Sequence, residues 1–459
     1  MRADDAHDRD FVGHPRGLAY LGFTEAWERF SYYGMQTLLV LYMVHQLLQP
    51  GHIERIAGFG PFRAAIEHVY GGPLSVVALA SAIFGLYTGL VYLTPIGGGL
   101  LADRLLGRTR TVMLGALLMA AGHFLMAFDV SFLLALLCLL IGVGCFKGNL
   151  ASQIGALYGP DDLRRADAYQ IYYLFISAAV ILSPLITGTL GEKLGWHYGF
   201  GAAGIGMLIG IVTYRSGRRW LPEEAAATAA VAVSAPRAAP LSRTDRKVVL
   251  LLIALVPVLA IGTVGNQEIF NAYLLWVPDH VDLVFFHYRM PTTWLVTVDA
   301  AVSISGLLAS LAFWRLWARH FREPSEIIKI VIGFLLSLGA MLSLVAAAAI
   351  SGAGQKAGFG WIVGFEVLNS LGFSNVLPVG LALYNRAAPK SVAGTMLGVY
   401  FLHLFACNNL VGWLGGLIER LSGVQFWGLH AALIGTAALL TALAARFGAR
   451  LLSAACARS

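Results

Sequence analysis

Long apolar runs, each about the length of a membrane-crossing helix, recur along the whole of this 459-residue chain. A helix needs about 20 apolar residues to cross the hydrocarbon core of a bilayer, and its backbone groups must be satisfied within the segment. The sequence therefore predicts an all-α polytopic membrane protein with about 12 transmembrane helices. We place these helices near 18–48, 76–104, 111–128, 131–158, 168–191, 197–215, 247–277, 291–317, 327–352, 358–386, 391–420 and 424–448.

Composition excludes an ordinary soluble globule, because 58% of the residues are hydrophobic and 12% are charged, with a mean hydropathy of +0.72. Soluble domains carry about twice that charged fraction. The net charge of +7 could suggest a nucleic-acid surface, but the cations concentrate in loops on alternate sides of the apolar runs. This positive-inside pattern predicts that both termini are cytoplasmic.

The cations assigned to the cytoplasmic side are Arg104, Arg108, Arg110, Arg164, Arg165, Arg215, Arg218, Arg219, Arg243, Arg246, Lys247, Arg315, Arg319, Arg322, Lys329, Arg386 and Lys390. Those assigned to the opposite side are Arg55, Arg63, Lys193, Arg289, Lys356 and Arg420.

An alanine- and proline-containing segment at 216–245 divides the chain into two halves of six helices. We predict a cytoplasmic tail at 1–16, a bundle at 17–215, a flexible or partly helical linker at 216–245, a second bundle at 246–448 and a cytoplasmic tail at 449–459. The polar residues 1–16 do not resemble a cleavable signal peptide. Two such halves suit a transporter whose central site opens alternately to each side, and a single bundle with a fixed pore is the competing architecture.

Neither a nucleotide site nor an enzyme site is recognisable. Gly97-Gly98-Gly99 lacks the spacing of a phosphate-binding loop, so ATP is not expected to drive the protein. The cysteines show no metal-ligand spacing and no disulfide framework, and no nucleophile is paired with a base at a recognisable spacing. We therefore expect neither enzymatic activity, nor a cofactor, nor a metal. The cysteines are Cys138, Cys145, Cys407 and Cys456.

The first apolar run contains a charged cluster made of Glu25, Glu28 and Arg29, followed by Tyr32 and Tyr33. Residues three and four apart share one face of a helix, so the charged groups lie together. Each costs about 2.5 to 3.5 kcal/mol to insert into a bilayer, so such groups need partners. The cluster either fixes helix packing as a self-paired group or lines a translocation pathway.

Four other ionisable residues interrupt later runs. Lys147 either extends its head group toward the cytoplasm or pairs with the first-helix glutamates. Glu268 is suited to carrying a proton or to pairing with an arginine or lysine. Asp299 and Glu366 are expected to face the protein, because lipid exposure would leave each charge unpaired. These acids, together with the lack of a nucleotide motif, indicate transport driven by a proton gradient.

Two further groups of residues are interpreted as packing features. The segment Gly99–Arg108 joins the second and third helices, and we interpret Gly99, Asp103 and Arg104 as a gating and packing motif. In the eleventh helix, His403 adds polar character, and the Asn408-Asn409 pair is expected to hydrogen bond to other helices.

Several motifs together resemble the proton-coupled oligopeptide transporter (POT/PTR) family, a branch of the major facilitator superfamily. The first-helix pattern Glu25-x-x-Glu28-Arg29-Phe30-x-Tyr32-Tyr33-Gly34 is the most specific, and the resemblance covers nearly the whole chain. The supporting segments are Gly99–Arg104, Phe146–Asn149, Gly191–Gly201, Pro378–Leu381 and Ala388–Lys390. The resemblance implies the major facilitator fold, with two six-helix halves.

It also implies roles for individual residues. Proton coupling would involve Glu25, Glu28, Arg29, Lys147 and Glu268, with protons as the coupling ion. The substrate would contact Arg29, Tyr33, Gln36, Tyr92, Lys147, Ser177, Asp299, Glu366, Phe373 and Tyr400.

The chain departs from the family pattern where relatives hold the peptide. Phe373 occupies the tenth-helix position where a glutamate usually receives the peptide amino terminus, and Glu366 or Asp299 could supply the lost charge. Gln36, Ser177, Asp299 and Tyr400 also differ from the usual arginine, asparagine, asparagine and tryptophan. A buried amine without a carboxylate partner would cost several kcal/mol.

We therefore predict a proton-driven symporter that imports di- or tripeptides or peptide-like compounds. The alternatives are a proton-coupled transporter of a modified or non-peptide substrate, a drug-type exporter, and a membrane scaffold that has kept the fold without transport. The expected partners are a small peptide-like substrate, protons and membrane lipid, with no nucleic acid. The expected state is a monomer in the inner (plasma) membrane of a bacterium.

Overall fold

The computed structural model describes residues 9–159, 162–221 and 241–456, and these residues are almost entirely helical. The prediction of an all-α fold is confirmed. The helices are α1 (Arg16–Tyr42), α2 (Phe59–Tyr70), α3 (Val76–Leu90), α4 (Thr94–Leu101), α5 (Arg108–Leu125), α6 (Phe132–Ala156), α7 (Arg164–Ser183), α8 (Thr189–Leu194), α9 (Trp196–Gly217), α10 (Arg243–Gly262), α11 (Val264–Gln267), α12 (Ala272–His280), α13 (Trp294–Trp317), α14 (Glu326–Gly352), α15 (Gly360–Ala387), α16 (Ala393–Gly415) and α17 (Gly423–Cys456).

Short irregular segments connect several of these helices. The π-helical turns Met43–Leu47, Ala102–Leu106 and Pro184–Gly188 continue α1, α4 and α7, and the 3₁₀ turn Glu268–Phe270 follows α11. A small antiparallel hairpin, β1 (Val284–Phe285) with β2 (Tyr288–Arg289), precedes α13, and Val284 is paired with Arg289. Most of the predicted linker, 222–240, and parts of both predicted tails lie outside the described residues.

Among the described residues, nine helices are long and apolar enough to cross a bilayer, and ten if the bent pair Arg243–Gly262 and Val264–Phe270 counts as one span. The other two predicted spans correspond to α1 and α5. Both are helices of adequate length, with 27 and 18 residues. Their mean hydropathy is lowered because α1 carries four charged residues, Arg16, Glu25, Glu28 and Arg29, and α5 carries two arginines in its first turn.

The contacts divide the chain into two compact units. The first unit draws on Met1–His68, Leu93–Ser234 and Thr293–Thr297. In this unit α1 packs against α7 and α9, and α5 and α6 pack against each other. The face of α1 that carries Glu25 and Glu28 is therefore enclosed by protein, and both side chains are buried.

Close packing between α4 and α6 depends on Gly98. A Cβ atom on Gly98 would lie 1.9 Å from the carbonyl oxygen of Gly144, so the two backbones touch. The contact that we predicted for Gly99 is made by Gly98 instead, since a Cβ atom on Gly99 would meet no atom within 4 Å. Helices turn about 100° per residue, so adjacent glycines face different neighbours.

The second unit draws on Val69–Tyr92, Ala235–Thr292 and Val298–Ser459. Here α14 packs against α15 and α17, and α3 packs against α16. The α3–α16 contact is close because a Cβ atom on Gly85 would lie 2.4 Å from the carbonyl oxygen of Asn408. The division into bundles at 17–215 and 246–448 stays a prediction, and by its contacts α3 belongs to the second unit.

The prediction for Asn408 and Asn409 was wrong. Their side-chain amides donate to the carbonyl oxygens of Leu404 and Phe405, one turn earlier in α16, at 2.8 Å each. The donors are satisfied within their own helix because a short amide side chain readily reaches the carbonyl four residues back. Within the described residues, these amide nitrogens therefore form their hydrogen bonds inside α16 and not to another helix.

Candidate functional site

A buried ion cluster lies at the middle of α1. The Nε atom of Arg29 is 3.0 Å from Oε1 of Glu25 and 2.5 Å from Oε2 of Glu28. The three side chains are 5%, 4% and 0% exposed. The prediction that these residues share one helix face is confirmed. The guanidinium of Arg29 forms ion pairs with both carboxylates. Its carbon atom also lies 5.5 Å from the ring centre of Tyr32.

Two neighbouring helices extend this cluster. Lys147 in α6 is close enough to interact electrostatically with Glu25, Glu28 and Arg29, and the hydroxyl of Tyr172 in α7 hydrogen bonds to Glu25. Of the two possibilities left open for Lys147, the structure therefore favours association with the first-helix glutamates. Tyr172 was not anticipated from the sequence.

The cluster is electrically balanced when all of its charged groups are ionised. Glu25 and Glu28 contribute two negative charges, and Arg29 and Lys147 contribute two positive charges. An uncompensated charge costs several kcal/mol in such a buried position. Adding a proton to either carboxylate therefore leaves the cluster with one uncompensated positive charge. A negatively charged group from outside the cluster can balance it.

A second buried group, in the other unit, joins the two acids that the sequence analysis treated as alternatives. The carboxyl groups of Asp299 in α13 and Glu366 in α15 hydrogen bond to each other. The hydroxyl of Tyr273 in α12 donates to Oε1 of Glu366 at 2.6 Å. Glu366 is 0% exposed and Asp299 is 9% exposed. The expectation that both acids face the protein is confirmed.

Two ionised carboxylates this close repel each other, so a proton shared between them would stabilise the pair. Ser303 lies 3.5 Å from Asp299, and its hydroxyl is 3.0 Å from that of Ser370. Within the described part of the second unit, no lysine or arginine forms an ion pair with either acid. The pair is therefore a buried acidic site that could receive a cationic group.

Glu268 lies at the break between α11 and α12 and is 1% exposed. Its Oε1 atom is 3.1 Å from Nε2 of His430 in α17, and its Oε2 atom accepts from the backbone N–H of Ala272 at 3.1 Å. The sequence analysis expected Glu268 to carry a proton or to pair with an arginine or lysine. Within its own unit, the structure pairs it with a histidine that sequence reasoning missed.

The remaining predicted substrate residues are placed as follows. In the first unit, Gln36 and Ser177 are buried and Tyr33 is partly exposed next to Tyr32. In the second unit, Tyr92 and Phe373 are partly exposed.

Tyr400, by contrast, is wholly buried, and its hydroxyl donates to the carbonyl oxygen of Leu377 at 2.6 Å. In this conformation it packs in the core of the second unit, and its substrate role stays a prediction. Asp103 and Arg104 of the proposed gating motif are both exposed.

The comparisons with known proteins agree with this architecture. Residues 109–235 match the model of the POT family. The chain is 28% identical to the peptide transporter YePEPT of Yersinia enterocolitica, over 90% of this chain and 89% of that protein. It is 27% identical to a di-/tripeptide transporter of Lactococcus lactis subsp. cremoris, over 90% of this chain and 95% of that protein.

A solved structure shows the same fold. A mutant of the peptide transporter POT in complex with alafosfalin superposes with a TM-score of 0.81 at 25% identity, covering 97% of each chain. The chain is thus similar to POT transporters along nearly its whole length. It has the major facilitator fold, is an integral multi-pass membrane protein, and is a transporter and not an enzyme.

Proposed function

We propose that this protein is a member of the POT family and imports short peptides or peptide-like compounds together with protons, by alternating access. The observation that carries the proposal is the buried cluster of Glu25, Glu28 and Arg29, with Lys147 within electrostatic reach. A scaffold would need none of these groups. The relatives named as peptide transporters support a peptide as the substrate class.

Coupling follows from the charge balance of the cluster. Binding one proton to Glu25 or Glu28 gives the group a net charge of +1, which a substrate carboxylate can neutralise. Conversely, a bound carboxylate favours uptake of that proton. Each ligand therefore stabilises the binding of the other, as linkage requires. A membrane potential adds about 2.3 kcal/mol per charge per 100 mV to drive accumulation.

A second candidate substrate class is a modified or non-peptide compound. Phe373 stands at the position where the family's glutamate receives a peptide amino terminus, so a ligand without a free amine would lose little here. The carboxyl pair of Asp299 and Glu366 argues for a cationic group instead, because buried carboxyl groups attract an ammonium group. We propose this pair as the partner of a substrate amine.

The test uses the purified full-length chain in proteoliposomes, with an inward proton gradient and radiolabelled alanyl-alanine as the probe. We expect accumulation above the external concentration, and its loss when a protonophore is added. Glu25→Gln, Arg29→Ala, Lys147→Ala and Glu268→Gln should each lose concentrative uptake. Uptake that a protonophore leaves unchanged would refute proton coupling.

The substrate class is tested in the same vesicles by competition. Unlabelled alanyl-alanine and its N-acetyl derivative, at equal concentrations, should differ in inhibition if a free amine is recognised. Equal inhibition by both would favour a substrate without a free amine. Drug accumulation in cells that lack the protein, compared with the parent cells, would identify an exporter instead.

A further inference from the structure

Glu268 and His430 form a fully enclosed pair inside the second unit. Oε1 of Glu268 is 3.1 Å from Nε2 of His430, and the side chains are 1% and 0% exposed. The other imidazole nitrogen, Nδ1, is 2.9 Å from the carbonyl oxygen of Phe426, one turn earlier in α17. The rings of Phe426 and Trp427 lie 4.7 and 5.5 Å from the imidazole and separate it from water.

These contacts fix the number of protons that the pair holds. A carbonyl oxygen can only accept, so Nδ1 must carry a hydrogen and donate to Phe426. In a neutral imidazole, Nε2 is then an acceptor and cannot bond to an ionised carboxylate. The contact between Nε2 and Oε1 therefore requires one further proton, carried either by His430 as imidazolium or by Glu268 as carboxylic acid.

Losing that proton destabilises the contact. The carboxylate of Glu268 would face the lone pair of Nε2, and of its contacts only the backbone N–H of Ala272 would still donate to it. The other titratable group described nearby is Cys407 of α16, whose thiol bonds to Thr263 and interacts electrostatically with Glu268. In the described part of this unit, no lysine or arginine forms an ion pair with Glu268.

We propose that His430 is a coupling residue, and that the pair Glu268–His430, not Glu268 alone, is the proton-binding site of the second unit. This inference rests on the proposed proton-coupled transport. The proton moves along one hydrogen bond between Oε1 and Nε2 without changing the net charge of the pair, which stays zero. Its departure leaves one negative charge and breaks the contact between the α11–α12 break and α17.

That break is a suitable place for a conformational response. Glu268 begins a 3₁₀ turn, and Asn271 after it has φ −127° and ψ −109°, outside the helical region. When the pair holds its proton, the hydrogen bond between Glu268 and His430 connects this irregular backbone to α17. When the proton leaves, that hydrogen bond is lost. The protonation state of the pair thereby selects between two arrangements of the segment.

The transport test compares His430→Gln with His403→Gln in proteoliposomes, using alanyl-alanine. The amide introduced by His430→Gln retains a donor for Glu268 but cannot exchange a proton, so we expect proton-driven accumulation to fall about tenfold or more. Counterflow exchange without a gradient should be retained, and the pH dependence of the initial rate should become flatter. His403 is a matched control, since it is also fully buried and its Nδ1 contacts the carbonyl oxygen of Tyr400.

A structural role would lower driven uptake and counterflow together, or would leave the pH profile unchanged, and either result would overturn the proposal. The double variant Glu268→Gln/His430→Gln should be no worse than the poorer single variant, because the two residues act as one site. Additive losses would show separate roles.

A second measurement does not depend on the substrate. Nitrogen-15 NMR of histidine-labelled full chain in micelles should show a His430 signal with Nδ1 protonated, whose Nε2 resonance shifts in Glu268→Gln. If wild type fails to accumulate alanyl-alanine, the proposed function fails, while this spectrum still tests the pair. A His430 spectrum that Glu268→Gln leaves unchanged would disprove the pairing.

Discussion

A guanidinium held between two buried carboxylates is sensitive to the removal of a single charge. Glu28→Gln leaves the α1 cluster with one carboxylate and two cations, a permanent net charge of +1. We expect the variant to bind alanyl-alanine without needing a proton, so that counterflow persists while accumulation falls about tenfold or more. Proteoliposome accumulation and counterflow, measured side by side, check this.

The control for Glu28→Gln is Glu67→Gln. Glu67 also forms an i,i+4 pair with an arginine, Arg63, but that pair is partly exposed, with side chains 38% and 21% accessible. Solvated pairs of this kind contribute about 0 to 1 kcal/mol, so its removal should leave transport intact. Equal accumulation by Glu28→Gln and wild type would contradict the role given to the cluster.

The carboxyl pair of the second unit should govern selectivity and not coupling. Asp299→Asn keeps the shape of the side chain but removes one of the two carboxyl groups of the pair. We expect about tenfold weaker binding of amine-bearing dipeptides, about 1.4 kcal/mol, because Glu366 can still ionise and partly compensate. Thermal-shift titrations with alanyl-alanine and N-acetyl-alanyl-alanine measure the difference.

Proton-driven accumulation at saturating substrate should change less than affinity does. Asp279→Asn, at an exposed acid near the end of α12, is the matched charge removal and should alter neither property. Equal losses of selectivity and coupling in Asp299→Asn would place Asp299 outside the ligand site.

Contacts between site residues could be predicted from the sequence where the two residues are close together on one helix. Glu25 and Arg29 are four apart on one helix, so their contact needed no tertiary information. The contact between Asp299 and Glu366 could not be predicted, because it depends on the packing of α13 against α15. Neither acid has a neighbour in the sequence that indicates its partner. His430 is one of several polar residues in the otherwise apolar helix α17, and the only indication of its role was indirect, because a buried Glu268 needs a hydrogen-bond donor.

Helix packing in the first unit depends on small residues at defined positions. Gly98→Ala would place a Cβ atom 1.9 Å from the carbonyl oxygen of Gly144 and force α4 and α6 apart. Overpacking of this kind costs about 1 to 3 kcal/mol, so we expect a clearly lower melting temperature of the detergent-solubilised protein. Fluorescence-monitored thermal unfolding measures it.

The two glycines that flank Gly98 provide the controls for Gly98→Ala. Gly97→Ala and Gly99→Ala each add a methyl group that meets no atom within 4 Å, on the same helix and one residue away. Alanine is about 1 kcal/mol better than glycine in a helix interior, so neither control should be destabilised. If all three variants melted alike, the backbone contact between α4 and α6 would not be the cause.

The seventh predicted span shows that hydropathy does not predict a break within a membrane helix. Its hydropathy predicted one helix near 247–277, but the structure bends by 48° between Gly262 and Val264. The hydroxyl of Thr263 bonds back to the carbonyl oxygen of Leu259, and the next residues begin a new axis. Hydropathy measures how apolar a segment is and carries no information on such a backbone break.

At the scale of the molecule, the fold class followed from the sequence because lipid allows few spanning structures. The membership of α3 in the second unit could not be predicted, since an apolar helix offers similar surfaces to many neighbours. Its partner is selected by the close packing of glycines such as Gly85 against α16, and this packing cannot be deduced from composition.

Orientation in the membrane is the molecular property with the most direct test. Cations concentrate in loops predicted to be cytoplasmic, such as the start of α5, and are sparse in those opposite. The insertion machinery retains cationic loops on the cytoplasmic side, so both termini should lie there. Arg108 and Arg55 are both exposed and belong to loops assigned to opposite sides.

Arg108→Cys and Arg55→Cys, each in a chain whose native cysteines are replaced by serine, should therefore react differently with a membrane-impermeant maleimide. In intact cells we expect labelling of Arg55→Cys alone, and in permeabilised cells labelling of both. The reverse pattern would invert the assignment and, with it, the direction of import under an inward proton gradient. The cluster chemistry at Glu25, Glu28 and Arg29 would stand in either orientation, because its charge balance is local to the first unit.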